Sequence, residues 1–157
     1  MRVRQNRSAS PRVFLPTILR WFSNQHELLS MHPTPAQRDA LFKGFARALF
    51  KHDMDALYRV VSPEFVWRYH DGVSPEVVLI GREAILKHLD KNKAFYATIR
   101  FHDVVYHHLG DVSFMTFRVS ETVRSTGEQR EQRGIERYTF EDGRIATKDV
   151  YRKPIVS

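Results

Sequence analysis

Cysteine is absent from the 157 residues, which excludes disulfides, a cysteine-ligated zinc and a thiol nucleophile, and fits a reducing compartment. Glycine is scarce, at seven residues, and never falls in the GxGxxG or Walker spacing that lets a backbone cradle phosphate. A GxSxG nucleophile elbow is missing as well. No HExxH or comparable spacing gathers histidines: His107 and His108 are adjacent in a β-forming run and face opposite ways, so they and His102 are read as satisfied or exposed, not as metal ligands. No apolar run approaches the span of a bilayer. The resulting expectation is a soluble, cytoplasmic protein with no metal, no cofactor and no membrane partner.

Acidic residues are nearly missing from the first thirty positions, which hold Arg2, Arg4, Arg7, Arg12 and Arg20 against Glu27 alone. Of the formal charge of +7, four units therefore belong to this stretch and three to the rest of the chain, where signs alternate. A nucleic-acid groove on the folded part has little support. Residues 1–30 are read as a basic, flexible N-terminal extension to a domain over residues 31–157. Pro16 and Arg20 interrupt the apolar run a secretory signal needs. An organellar import sequence, a flexible basic arm, and a start at Met31 all fit the composition, and residues 15–22 can form a short helix with Trp21 and Phe22 on the core.

What is abundant is β-forming sequence. Residues 98–108, 112–123, 130–140 and 144–152 are rich in Val, Ile, Thr, Phe and Tyr. They are parted by Leu109-Gly110-Asp111, Ser125-Thr126-Gly127 and Glu141-Asp142-Gly143, which carry the residues hairpins need for positive φ. An antiparallel meander is the economical reading. Upstream, Thr34, Pro35 and Gln37 form a capping signal for a helix to about Lys51, with Leu41, Phe45, Ala48 and Leu49 as its apolar stripe. Asp53 or Asp55 starts a second helix, stopped by Ser62-Pro63. Residues 64–70 read as a strand with Phe65, Trp67 and Tyr69 on one face, Asp71-Gly72 as a turn, residues 77–80 as a short strand, and residues 82–92 as a third helix. Three early helices followed by a long meander argue for an α+β fold with the helices on one face of a bent sheet.

At this point the chain resembles the NTF2-like superfamily and its SnoaL-like branch, the α+β cone shared by ketosteroid isomerase, scytalone dehydratase, limonene-epoxide hydrolase and polyketide cyclases. The resemblance covers residues 36–153. It is carried by Phe45-Ala-Arg-Ala-Leu with His52-Asp53-Met54-Asp55-Ala56-Leu57, by Ser62-Pro63-Glu64-Phe65-Val66-Trp67, by Ile80-Gly81-Arg82-Glu83-Ala84-Ile85, and by Tyr138 through Ile145 with Lys148-Asp149-Val150-Tyr151. It implies three N-terminal helices packed on a strongly curved, mainly antiparallel sheet, and a homodimer through that sheet. Ketosteroid isomerase chemistry needs a Tyr, a neutral carboxyl and a carboxylate base. Here the Tyr position is Phe45, the base position falls near Tyr69 with His70 and Asp71 just after it, and only Glu136 matches a carboxyl. The limonene-epoxide hydrolase arrangement finds Arg118 and Asp149, with Ser120 in place of its second acid.

The candidate site follows from both readings. Glu136 shares a strand face with Tyr138 and Phe140, so burial would raise its pKa and make it a proton donor or base; the alternative is an ion pair with Arg118 or Arg133. His70 and Asp71 form either an acid-base pair at the pocket mouth or a polar turn. Asp149 either lines the cavity or pairs with Lys148 or Arg118. Phe45, Trp67, Tyr69, Phe101, Arg118, Tyr138 and Phe140 are the expected ligand contacts. Two functions compete: a cofactor-independent isomerase, cyclase or dehydratase acting on a small hydrophobic or cyclic molecule, and a non-catalytic ligand-binding or dimerisation module.

Overall fold

The computed structural model describes residues 32–70 and 75–155. The expectations for residues 1–30 and for the turn at Asp71-Gly72 lie outside them. The elements run α1 (Pro35–Lys51), α2 (Met54–Val60), β1 (Val61–His70), β2 (Val77–Ile80), α3 (Gly81–Phe95), β3 (Tyr96–Leu109), β4 (Val112–Val123), β5 (Gln129–Glu141) and β6 (Arg144–Pro154). The six strands form one open sheet in the order β2-β1-β6-β5-β4-β3. Only the β1–β6 pair is parallel; the last four strands are the expected meander. Among the described residues no helix is long and apolar enough to cross a membrane.

Helix α1 starts where its capping signal placed it. Thr34 N–H donates to Gln37 Oε1 (2.8 Å) and Gln37 N–H to Thr34 Oγ1 (3.4 Å), satisfying two donors that a helix start leaves open. Of the expected stripe Phe45 and Ala48 are buried and Leu41 and Leu49 half-buried, while Phe42, outside it, is fully covered. Ring contacts explain its burial. Phe42 stacks on Tyr106 of β3 at 4.6 Å and tilts against Tyr138 of β5 at 4.7 Å, while Phe45, one turn on, meets Phe65 of β1 at 5.9 Å. One helix therefore touches strands from both halves of the sheet, which must bend around it.

Arg38 is buried on the same helix, where a charge is costly without partners. Its guanidinium donates to the carbonyls of Pro33 (2.7 Å), Val112 (2.8 Å) and Gly110 (2.6 Å) and lies 4.6 Å above the Phe140 ring. It pins the start of α1 to the β3–β4 hairpin. The opposite end of α1, with α3 and the concave side of the sheet, is left to enclose a cavity.

Candidate functional site

The register of β5 against β6 sets Tyr138 opposite Lys148 and Glu136 opposite Val150, all on the concave side. Glu136 is 1% exposed. Lys148 Nζ donates to its Oε1 at 3.1 Å and the Tyr138 hydroxyl donates to its Oε2, so each carboxylate oxygen holds a donor. Nζ also lies 4.4 Å from the centre of the Trp67 ring and 5.3 Å from that of Phe45, a cation–π arrangement that a desolvated ammonium gains most from. Burial pulls the Lys148 amine below its ordinary value of 10.5, against the opposing pull of Glu136. Burial, then the Glu136 charge, push the Tyr138 phenol well above 10, which keeps it a donor. Tyr106, beside the same carboxylate, is pushed up to about 12, by burial first.

A second pair stands further along the same wall. Arg152 Nη1 donates to Glu121 at 2.8 Å, and its guanidinium lies over Tyr69, Phe117 and Phe101 at 5.5, 5.6 and 5.8 Å. His88 of α3 meets Trp67 edge-on at 5.2 Å, and its Nε2 lies 3.0 Å from Asn92 Nδ2. Burial, then Lys148, Lys91 and Arg152, lower its pKa from 6.5, so the ring is neutral at pH 7. Together these groups line a cavity of about 1460 Å³, roomier than the roughly 300–1,000 Å³ of common small-ligand sites. Phe50, 88% exposed, and Phe95, 44% exposed, belong to its wall and mark the mouth.

Six expected residues meet at this cavity: Glu136, Tyr138, Phe45, Trp67, Tyr69 and Phe101. Four others do not. Phe140 is core, covered by Arg38 and packed near Phe42. Arg118 points to the other side of the sheet, 3.1 Å from Glu131 and 3.6 Å from Asp103. Asp149 is on that side too, clasped by Arg68 (3.1 Å) and Arg137 (3.2 Å). His70 is exposed there beside Tyr151, at 6.3 Å between rings. Asp71 lies outside the described residues.

The partner of Glu136 is Lys148, not Arg118 or Arg133, which alternation on β4 and β5 places on the opposite face; Lys148 owes its own inward position to a β-bulge. Pairing runs Phe140 to Ile145 but Thr139 to Thr147, so Ala146 is an extra residue in β6. One extra residue exchanges the faces of everything beyond it. Strict alternation from Ile145, which is fully buried, would send Asp149 inward; the bulge sends Lys148 inward and Asp149 out. A second bulge acts on β3, where pairing steps from His102–Arg118 to Val105–Thr116 with Asp103 at φ 53°. It brings both Phe101 and Tyr106 to the cavity, although an odd spacing would separate them. Glu121, Arg152 and His88 join the site only in the structure; the alternation Met115, Phe117, Val119, Glu121, Val123 along β4 is the sequence signal that points to Glu121.

An open α+β sheet bent around a capped helix is the NTF2-like fold, and solved structures bear this out. An NTF2-like protein of Burkholderia xenovorans LB400 superposes with a TM-score of 0.68 at 16% identity, over 76% of this chain and 92% of its own. A candidate polyketide cyclase of Xanthomonas campestris pv. campestris gives 0.60 at 17% identity, over 74% and 90%. A ketosteroid isomerase-like fold from Catenulispora acidiphila DSM 44928, in complex with trimethylamine, gives 0.59 at 13%, over 71% and 83%. The model of the SnoaL-like domain matches residues 42–148, and the chain belongs to that family. No curated protein sequence matches it.

Proposed function

We propose that this domain holds a small hydrophobic or cyclic molecule in its cavity and moves a proton on it, with Glu136 as general base and acid. The observation that carries this reading is the placement of Glu136. It is a buried carboxylate with Lys148 on one oxygen and Tyr138 on the other, in a wall otherwise made of Phe45, Trp67, Tyr69 and Phe101. A buried charge of this kind is costly as mere packing, since apolar residues of similar volume fill such space at least as well. A carboxylate held in place by a lysine and a phenol can take a proton from a bound molecule, becoming neutral as it does so, and can return the proton to a neighbouring atom. The solved structures named for a candidate polyketide cyclase and for a ketosteroid isomerase-like fold support the fold only at their identity.

The test is a thermal-shift screen of cyclic ketones, phenols and polycyclic aromatics on the wild-type chain and on Glu136→Gln, which preserves shape and the Tyr138 hydrogen bond. Hits are expected on both proteins, with changed shifts in the variant, and turnover or solvent deuterium uptake by a hit only on wild type. Hits with identical shifts and identical deuterium uptake on both proteins would move the site away from Glu136.

A second reading rests on the other side of the sheet. Val105, Thr116, Ile135 and Tyr151 lie in one cross-strand row there, with Val105, Ile135 and Tyr151 49%, 46% and 52% exposed. Such a row suits a homodimer through the sheet, which serves equally a catalytic or a ligand-binding domain.

A further inference from the structure

Lys148 does more in this geometry than neutralise Glu136. Its amine lies in the cavity wall between two aromatic rings, with its only hydrogen bond among the described residues running to a carboxylate that can take a proton from it. The other lysines of the wall, Lys51, Lys91 and Lys93, are exposed. The ring next to Nζ, that of Trp67, carries a buried indole N–H with no hydrogen-bond partner among the described residues. Such a donor costs free energy unless an acceptor arrives.

We propose that Lys148 is a covalent attachment point for a carbonyl ligand, its amine condensing with a hydrophobic aldehyde or ketone in the cavity to form an imine. The inference rests on the reading of the cavity as a ligand site and narrows its ligand to carbonyl compounds. Glu136 takes one proton from the Lys148 ammonium, and the freed nitrogen lone pair attacks the carbonyl carbon; a C–N bond forms and the C=O π pair moves to oxygen, which takes up that proton from Glu136. Glu136 then accepts a second proton from nitrogen and gives it to the carbinolamine hydroxyl. The C–O bond breaks, water leaves, and the nitrogen lone pair completes C=N. Ammonium and carbonyl give the protonated imine, paired with the Glu136 carboxylate, and water, with no oxidant or reductant. Two features support the amine as nucleophile: it is drawn toward the neutral form by burial and by the nearby Arg152, and desolvation among apolar groups is how such lysines are activated.

The experiment uses the full chain with 2-naphthaldehyde as probe. Sodium borohydride traps any imine as a stable secondary amine, and peptide mapping finds the labelled lysine. Lys148 is expected to be the principal label in the product carrying one equivalent, and excess 2-naphthalenemethanol, which fills the cavity but cannot condense, is expected to suppress that label. Glu136→Gln is expected to slow labelling of Lys148 by about a hundredfold, within the range of general acid-base catalysis, while exposed lysines label at the wild-type rate. The mapping needs no substitution at Lys148, so folding of a variant does not limit it. If 2-naphthalenemethanol raises Tm but label falls only on exposed lysines, the imine is overturned and the cavity reading stands. If the alcohol leaves Tm unchanged and Lys148 is unlabelled, both fall.

Discussion

Glu136, Lys148 and Tyr138 form one unit whose members cannot be removed singly at equal cost. Lys148→Met leaves a buried carboxylate without its counter-charge and is expected to cost about 3–5 kcal/mol. Tyr138→Phe removes one hydrogen bond to the same oxygen pair and is expected to cost about 1–3 kcal/mol. The double variant Glu136→Gln/Lys148→Met removes both charges together and is expected to be more stable than Lys148→Met alone. Urea unfolding of the set checks this; strict additivity of the two single changes would show that the pair is not coupled. The same cluster sets the response to alkali. Tyr106 has its pKa raised from 10 to about 12, so between those values the unfolded chain gives up a proton that the folded chain keeps, and stability falls as pH rises through that window. Tyr138 acts in the same direction. Lys148, lowered from 10.5, acts oppositely: its penalty is present while it is charged and is relieved as pH rises toward 10.5. Urea midpoints are therefore expected to hold or rise up to about pH 10 and to fall beyond it, with phenolate absorbance from Tyr138 appearing only on unfolding. An unchanged midpoint at pH 12 would contradict the burial of these phenols.

At the level of elements, the strands owe their functional face to two irregularities. The extra residue Ala146 turns Lys148 toward the cavity while keeping Ile145 in the core. Deleting Ala146 would force either Ile145 or Lys148 to the wrong side, and a loss of several kcal/mol is expected. Circular dichroism melting of the deletion variant checks this; a wild-type Tm would mean that the bulge does not set the face. Gly134 of β5 has a different constraint, close packing instead of backbone conformation. A Cβ there would lie 2.4 Å from a ring carbon of Phe117 and 2.8 Å from the Tyr151 carbonyl oxygen. Gly134→Ala is expected to cost about 1–3 kcal/mol or more through this overpacking. It would also shift the rings against which Arg152 lies, so ligand shifts should change along with Tm.

For the whole molecule, the sheet has two sides of different character. The concave side carries the cavity; the other carries the row of Val105, Thr116, Ile135 and Tyr151, flanked by Arg118, Arg133, Arg137 and Asp149. Multi-angle light scattering is expected to give a dimer mass for the wild type and a monomer mass for Ile135→Glu, with the far-ultraviolet spectrum unchanged. A monomeric wild type at the same concentration would end the reading of that face as an interface. Since Glu136 faces the opposite side, cavity binding by the variant is expected to persist.

The sequence by itself determined the elements and their class. Thr34-Pro35 and Gln37 cap α1, Asp53 caps α2, and hairpin turns at Gly110, Gly127 and Gly143 take positive φ, because these signals act over a few residues and do not depend on what packs later. It also brought out Glu136, Tyr138 and the aromatic wall, since alternation along an uninterrupted strand is a local rule. What only the tertiary structure decided was which side of β6 faces inward, and with it the exchange of Asp149 for Lys148 and Arg152. A bulge has no strong local signature at Ala146. It exists because Ile145 and Lys148 both find their partners on the concave side, and those partners lie on other elements, Glu136 on β5 and Phe45 and Trp67 on α1 and β1.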